Sequence, residues 1–173
     1  RLLVYVFSGI SGGTGAGTFL DMAYILRKIA KAKNPNVNIM GYLLMTDVNE
    51  LNGGKKEALR TNGFSCLKEL DYWMNSGEHE DRYYQKFPNG FELNEHDCPF
   101  DFCHLLDASD VGGHNFNYDK ILRSVAENVF AYIAGEAGGD TSTSTMASLY
   151  DNIQGYITTL TASAKYPAGY KFL

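Results

Sequence analysis

The stretch Ser8-Gly9-Ile10-Ser11-Gly12-Gly13-Thr14-Gly15-Ala16-Gly17-Thr18 decides how this chain is read. It joins an apolar run, Leu2 to Phe7 (LLVYVF), to a segment whose apolar residues recur at helical spacing. The run reads as a parallel strand buried on both faces. Gly9, Gly12, Gly13, Gly15 and Gly17 are more glycine than a tight turn needs. A backbone without Cβ atoms can take positive φ and be approached closely. Thr18 is the expected N-cap of the following helix, with Asp21 three residues on, where a capping-box acid sits. Free N–H groups and the positive end of the helix dipole then converge on a point suited to phosphate. The candidate phosphate-binding residues are Gly12, Gly13, Thr14, Gly15, Ala16, Gly17 and Thr18. The bland alternative is a glycine turn that only lets strand and helix pack closely.

Two phosphate-loop patterns are excluded, and a third is weakened but stays as a less favoured alternative. The P-loop needs a lysine followed by Ser or Thr, and no lysine precedes Lys28. The G-x-G-x-x-G fingerprint is absent, because Gly13, Gly15 and Gly17 are spaced by single residues. Ser8, Gly9, Gly13 and Gly15 approximate the loop of short-chain dehydrogenases, an oxidoreductase reading. Those enzymes also need a Tyr followed four residues later by Lys, well downstream, and the pair here, Tyr24 and Lys28, falls inside the first helix.

The loop resembles the G-G-G-T-G-[ST]-G signature of the tubulin and FtsZ superfamily, carried here by Ser11 to Gly17 with Ser for the first glycine and Ala for the Ser or Thr. GGTGAGTFLDMAYILRK and LRTNGFSCLKELDYW are similar to the bacterial tubulin-like branch. The resemblance implies a partial GTPase domain: an α/β fold with a mostly parallel, Rossmann-like sheet flanked by helices. It implies GTP or GDP as ligand, with Mg²⁺ shielding the phosphates, and a homo-oligomer or filament through end-to-end contacts. It places Leu2 to Phe7 at the fourth strand of such a domain, with earlier strands expected upstream. Residues 1–135 then form the C-terminal half of the nucleotide domain, with a β-hairpin insertion at 76–98. Residues 136–173 hold a connection, a helix and the start of a strand.

Composition agrees with a globular chain. Of 173 residues, 45% are hydrophobic and 13% aromatic, enough for a sizeable core. A net charge of −5 argues against nucleic acid or an anionic membrane as partner, since both want a basic face. No apolar run approaches a membrane span. Cys66, Cys98 and Cys103 lack framework spacing, which suits a reducing cytoplasm. His96, Cys98, Cys103 and His104 match no common zinc pattern, so no metal site is expected.

The expected elements after the loop are a helix from Thr18 to about Lys33, stopped by Asn34 and Pro35, and a strand Val37 to Leu44. The stretch MTDVNELNGG follows the carboxyl end of that strand, where open parallel sheets place ligands. Asp47, Asn49, Glu50 and Asn52 there are suited to sugar hydroxyls, although each can equally cap or solvate a loop. Lys55 to Asn75 reads as a helix with a stripe through Leu59, Gly63, Cys66 or Leu67, Leu70 and Trp73 or Met74. Trp73 reads as a core anchor rather than a base-stacking platform. YYQKFPNGFEL reads as a hairpin around Pro-Asn-Gly.

Pro99 to Leu106 is the expected third strand, leading to Asp107 and Asp110. These carboxylates can accept from the guanine N1–H and exocyclic amine, at the loop where FtsZ carries a guanine-reading Asn. Tyr118 to about Ile133 reads as a helix with Ile121, Leu122, Val125, Val129 and Ile133 inward. By resemblance to the superfamily's central helix, Asn128 or Glu127 falls near the base and Tyr118 replaces the stacking aromatic, whose position holds Arg123 or Ser124. GEAGGDTSTST, from Gly135, reads as a connection, and Met146 to Leu160 as a further helix. The superfamily's water-orienting acids find one counterpart, Asp151, beside Asn152. A nucleotide-binding module without turnover is therefore the alternative to a GTPase.

Overall fold

The computed structural model describes residues 2–51, 56–109, 113–138 and 170–172. The chain divides into two compact units, Arg1–Asp107 with Gly169–Leu173, and Ala108–Ala168. The first unit is α/β. Strand β1 (Leu2–Gly9), helix α1 (Gly13–Lys33) and strand β2 (Val37–Leu44) follow one another, then short helix α2 (Thr46–Glu50) and helix α3 (Lys56–Met74). A hairpin of β3 (Tyr83–Lys86) and β4 (Glu92–Glu95) precedes strand β5 (Phe102–Leu106), and β6 (Tyr170–Phe172) completes the unit. The main sheet runs β1-β2-β5-β6 with every neighbouring pair parallel. This agrees with the expected mostly parallel sheet flanked by helices.

One face of the sheet carries Val6, Ile39, Leu43, Cys103 and Leu105, which cluster with Phe19, Leu20 and Ala23 of α1 and Cys66, Leu70 and Met74 of α3. Alternation along the strands sends Tyr5, Phe7, Tyr42, Phe102 and His104 to the other face. Their rings are in sequential contact, with Tyr42 and His104 stacked at 4.5 Å. β1 is not buried on both faces as its apolar run suggested. Val6 is its one buried residue and Phe7 is 55% exposed, because β1 has a partner on one side among the described residues.

Two other boundaries differ from expectation. α1 starts at Gly13, five residues before Thr18, so the glycines from Gly13 to Gly17 are helical and none of them has positive φ. Glycine's cost in a helix, about 1 kcal/mol each, favoured the later start. Thr18 is inside the helix, donating its hydroxyl to the Thr14 carbonyl at 2.8 Å, and Asp21 accepts from Tyr83 instead of capping.

The third strand starts at Phe102 because Asp101 interrupts the ladder. Its carboxylate accepts the Ile39 amide at 2.7 Å and pairs with Arg27 at 2.9 Å, while Arg27 also donates to the Pro99 carbonyl. Arg27 is only 4% exposed, a buried cation on the apolar stripe of α1.

The aromatic stretch after α3 forms an antiparallel hairpin, Tyr83 opposite Glu95 and Lys86 opposite Glu92. Gly90 supplies the turn's positive φ of 82°, and Asn89 accepts the Phe91 amide. The hairpin sits on α1 through Lys28, which donates to the Glu92 carbonyl and pairs with Glu95.

In the second unit, α4 (Tyr118–Gly138) is started by Asn117, whose side chain accepts the Lys120 amide at 2.8 Å. It runs through Gly135–Gly138, which had read as part of a connection. Ile121 and Val125 are buried, but Leu122 and Ile133 of the expected inward stripe are exposed, as is Phe130. The inward face is thus narrower than the apolar pattern. The helix expected at 146–160 lies outside the described residues.

Removing the Asp101 carboxylate leaves a buried guanidinium and an unpaired strand amide. Asp101→Ala should cost about 3 kcal/mol in urea unfolding, and Asp101→Asn, which keeps an acceptor for Ile39, clearly less.

Candidate functional site

The parallel register aligns the carboxyl ends of three strands, with Gly9 beside Leu44 and Leu44 beside Leu106. The loops that follow these ends share one edge of the sheet, tied by the Ile10 amide to the Leu44 carbonyl and the Met45 amide to the Leu106 carbonyl. This edge gathers the glycine loop, Asp47, Asn49, Glu50 and Asp107.

The turn into α1 is buried and braced from both flanks. Ile10 and Ser11 are fully buried. The Ser11 hydroxyl accepts from Asn49 Nδ2 at 2.6 Å, and the Ser11 carbonyl accepts from Asn62 Nδ2 at 3.2 Å. α2 and α3 therefore clamp the same residue. Two glycines are required by this packing. A Cβ on Gly15 would lie 2.2 Å from the Gly9 carbonyl oxygen, and one on Gly63 would lie 2.0 Å from Thr46 Oγ1.

Gly12, Gly13 and Gly17 are different. A Cβ on any of them would meet nothing within 4 Å. Gly12 is the N-cap in extended conformation, no side chain caps the helix, and no residue of its first turn is acidic. Among the described residues no side chain caps the first amides of this 21-residue helix, and the positive end of its dipole lies there. Such an arrangement accepts an anion without any basic side chain.

The residues expected at the sugar are placed beside this mouth but are partly engaged. Asn49 holds Ser11, and Glu50 pairs with Arg60 at 2.8 Å and with Lys56. Asp47 accepts the Val48 amide at the start of α2. MTDVNE is thus a short helix with Val48 buried beneath it, where a loop was expected. Asp107 follows β5 in the first unit, whereas Asn128 is on α4 in the second. Asn52, Asp110, Asp151 and Asn152 lie outside the described residues.

Asn62 was not singled out from the sequence. Its signal was its place beside Gly63 in LRTNGFSCLKELDYW, the stretch similar to the tubulin-like branch.

The other chemistries considered resolve into packing. Tyr24 is fully buried and stacked on Tyr83 at 4.2 Å, and burial pushes its phenol well above the usual range. Lys28 is held by the hairpin, so the pair forms no proton relay. Cys98 hydrogen bonds with the Ser76 hydroxyl and the Met74 carbonyl, His96 contacts the His79 carbonyl, and Cys103 is buried, its thiol pushed far up by burial. Among the described residues no group of three or more His, Cys, Asp or Glu is placed to hold a metal ion. Trp73 packs on the core, edge-on to Tyr24 and Tyr83. No helix among the described residues is long and apolar enough to cross a membrane.

The two kinds of glycine should separate experimentally. Gly15→Ala should cost about 2 kcal/mol or more through its clash with the Gly9 carbonyl. Gly17→Ala should stabilise the fold by up to about 1 kcal/mol through helix propensity, both read by urea denaturation.

Among curated proteins and among solved structures no match to the chain was found. A family model described as tubulin like matches residues 1–170, nearly the whole chain, including the glycine loop, the braced turn and strands β1, β2 and β5. This chain belongs to the tubulin-like family.

Proposed function

We propose that the mouth of α1 holds the phosphates of a guanine nucleotide, GTP or GDP. The observation that carries this reading is the open face of Gly12 and Gly13 at an uncapped helix start. Gly15 is explained by the fold, but among the described residues nothing occupies the space that these two leave. The amides from Gly12 to Thr14 hydrogen-bond the terminal phosphates, and Gly15, Ala16, Gly17 and Thr18 keep bulk away from them. Mg²⁺ travels with the nucleotide and offsets its charge. Asp47, in α2 after β2, and Asp107, after the adjacent β5, are the candidates for ribose and for the guanine N1–H and amine. Asn49 and Glu50 serve the same pocket by holding its wall, and Asp110 and Asn128 remain candidates for the base.

Membership in the tubulin-like family supports two extensions, hydrolysis of GTP to GDP and end-to-end assembly of copies. Hydrolysis is phosphoryl transfer to water, in which the loop stabilises developing charge and an acid orients the attacking water. Asp151 is the candidate acid. The alternative is a module that binds nucleotide without turnover. It is favoured by one observation: the first turn of α1 contains no acid and the nearby Glu50 is committed to Arg60 and Lys56. Phosphate release by the protein and by Asp151→Ala separates the two, since a GTPase loses turnover in the variant and a binding module has none to lose.

Gly12→Asp tests phosphate binding itself. Aspartate is at least as good an N-cap as glycine, so unfolding free energy should stay within a few tenths of a kcal/mol or rise. The new carboxylate would occupy the anion site, and GTP affinity in titration calorimetry should fall at least about 30-fold, roughly 2 kcal/mol. Unchanged affinity in the folded variant would refute the assignment.

A further inference from the structure

The sequence Asn-Gly-Phe occurs twice among the described residues, as Asn62-Gly63-Phe64 and as Asn89-Gly90-Phe91. A further Asn-Gly pair, Asn52-Gly53, lies outside them. An asparagine side chain can react with the backbone nitrogen that follows it, and glycine, with no Cβ, leaves that nitrogen open to attack. Asn and the two residues after it are the same in both stretches, so the fold decides which pair reacts. Asn62 and Gly63 are inside α3, where Gly63 is buried and Asn62 Nδ2 donates to the Ser11 carbonyl at 3.2 Å. Asn89 and Gly90 form the exposed tip of the β3–β4 hairpin.

At that tip the reacting carbonyl is already held. Pro88 fixes φ at the start of the turn, and Gly90 takes the positive φ of 82°. Asn89 Oδ1 accepts the Phe91 amide at 3.0 Å. Negative charge develops on this same oxygen when a nitrogen adds to Cγ, so the Phe91 N–H polarises the carbonyl and stabilises the oxyanion. The Gly90 N–H donates to the Phe87 carbonyl at 3.0 Å and must be released before it reacts. Pro88, Asn89 and Gly90 are all exposed, and local opening costs least in such turns.

We propose that Asn89 is a self-modifying site whose conversion loosens the hairpin from α1. Hydroxide takes the Gly90 amide proton, the nitrogen adds to Asn89 Cγ, and the Cγ–Nδ2 bond breaks, Nδ2 leaving as ammonia with a proton from water. Water then opens the cyclic imide at either carbonyl and returns the nitrogen its proton. The net change consumes one water, releases one ammonia and leaves aspartate or isoaspartate. Isoaspartate adds a carbon to the main chain inside a loop closed by the Phe87 N–H on the Phe91 carbonyl at 2.8 Å, so the present closure is lost. Phe91 and Glu92 are contacts of Lys28, whose Nζ lies 5.6 Å from the centre of the Phe91 ring and donates to the Glu92 carbonyl at 2.7 Å. The inference is independent of phosphate binding.

The full chain is aged in warm, mildly alkaline buffer, digested, and its peptides weighed by mass spectrometry. In the folded protein Asn89 should gain one mass unit at least about ten times faster than Asn62, and in urea the two should react at similar rates. The aged protein should become a substrate for an isoaspartate methyltransferase, and its Phe87 amide should exchange with solvent at least about fivefold faster than in fresh protein. Asn89→Ser keeps an acceptor for the Phe91 amide and forms no imide, so its Phe87 exchange should not change with age. The proposal fails if Asn89 in the folded chain gains mass no faster than Asn62, if converted protein keeps the Phe87 exchange rate of fresh protein, or if Asn89→Ser loosens with age as wild type does.

Discussion

The contact on which the rest of this molecule depends is the passage of Gly15 over the carbonyl of Gly9. With a would-be Cβ only 2.2 Å from that oxygen, the first turn of α1 is pressed onto the end of β1 as closely as two backbones allow. The crossing buries Ile10 and Ser11 and sets the direction in which α1 leaves the sheet. Once Ser11 is buried, its hydroxyl and carbonyl must find partners, because unpaired polar groups in the interior are costly. Asn49 and Asn62 supply them from two different helices. The strand-to-helix turn thus organises α2 and α3 as well as α1.

A second lock works at the opposite end of the sheet. Arg27 leaves the apolar stripe of α1, remains buried, and meets Asp101. That carboxylate also occupies the Ile39 amide and so determines where β5 begins to pair with β2. A buried ion pair of this kind is weak evidence for net stability. Its geometric effect is clearer, since one side chain ties helix to sheet and sets strand register together.

Glycine has two roles in this fold, and the sequence did not distinguish them. Gly15 and Gly63 are small because another part of the chain is in the way. Gly12, Gly13 and Gly17 are small although, among the described residues, nothing is in the way. Read as a loop, the five glycines of the opening stretch had seemed equivalent, each suited to positive φ. In the fold they take no positive φ, and Gly13 and Gly17, four residues apart, share one side of α1 while Gly15 faces the other. Their meaning comes from what each side faces.

The amino-acid sequence by itself determined the α/β class, the order strand, glycine turn, helix, strand, and the hairpin at Pro88-Asn89-Gly90. Apolar runs, helical spacing and turn residues are local signals, and these elements follow from local preference. The family was also legible, because SGGTGAG occurs in an unbroken stretch. Tertiary structure alone decided that α1 begins at Gly13, that Arg27 is buried, that Asp101 delays β5, and that Asn49 and Glu50 are committed to the protein. Each of these depends on a partner distant in the chain: 74 residues separate Arg27 from Asp101, and 51 separate Ser11 from Asn62. No periodicity or propensity encodes such pairings, since the free energy that selects them exists only after the sheet and helices have come together.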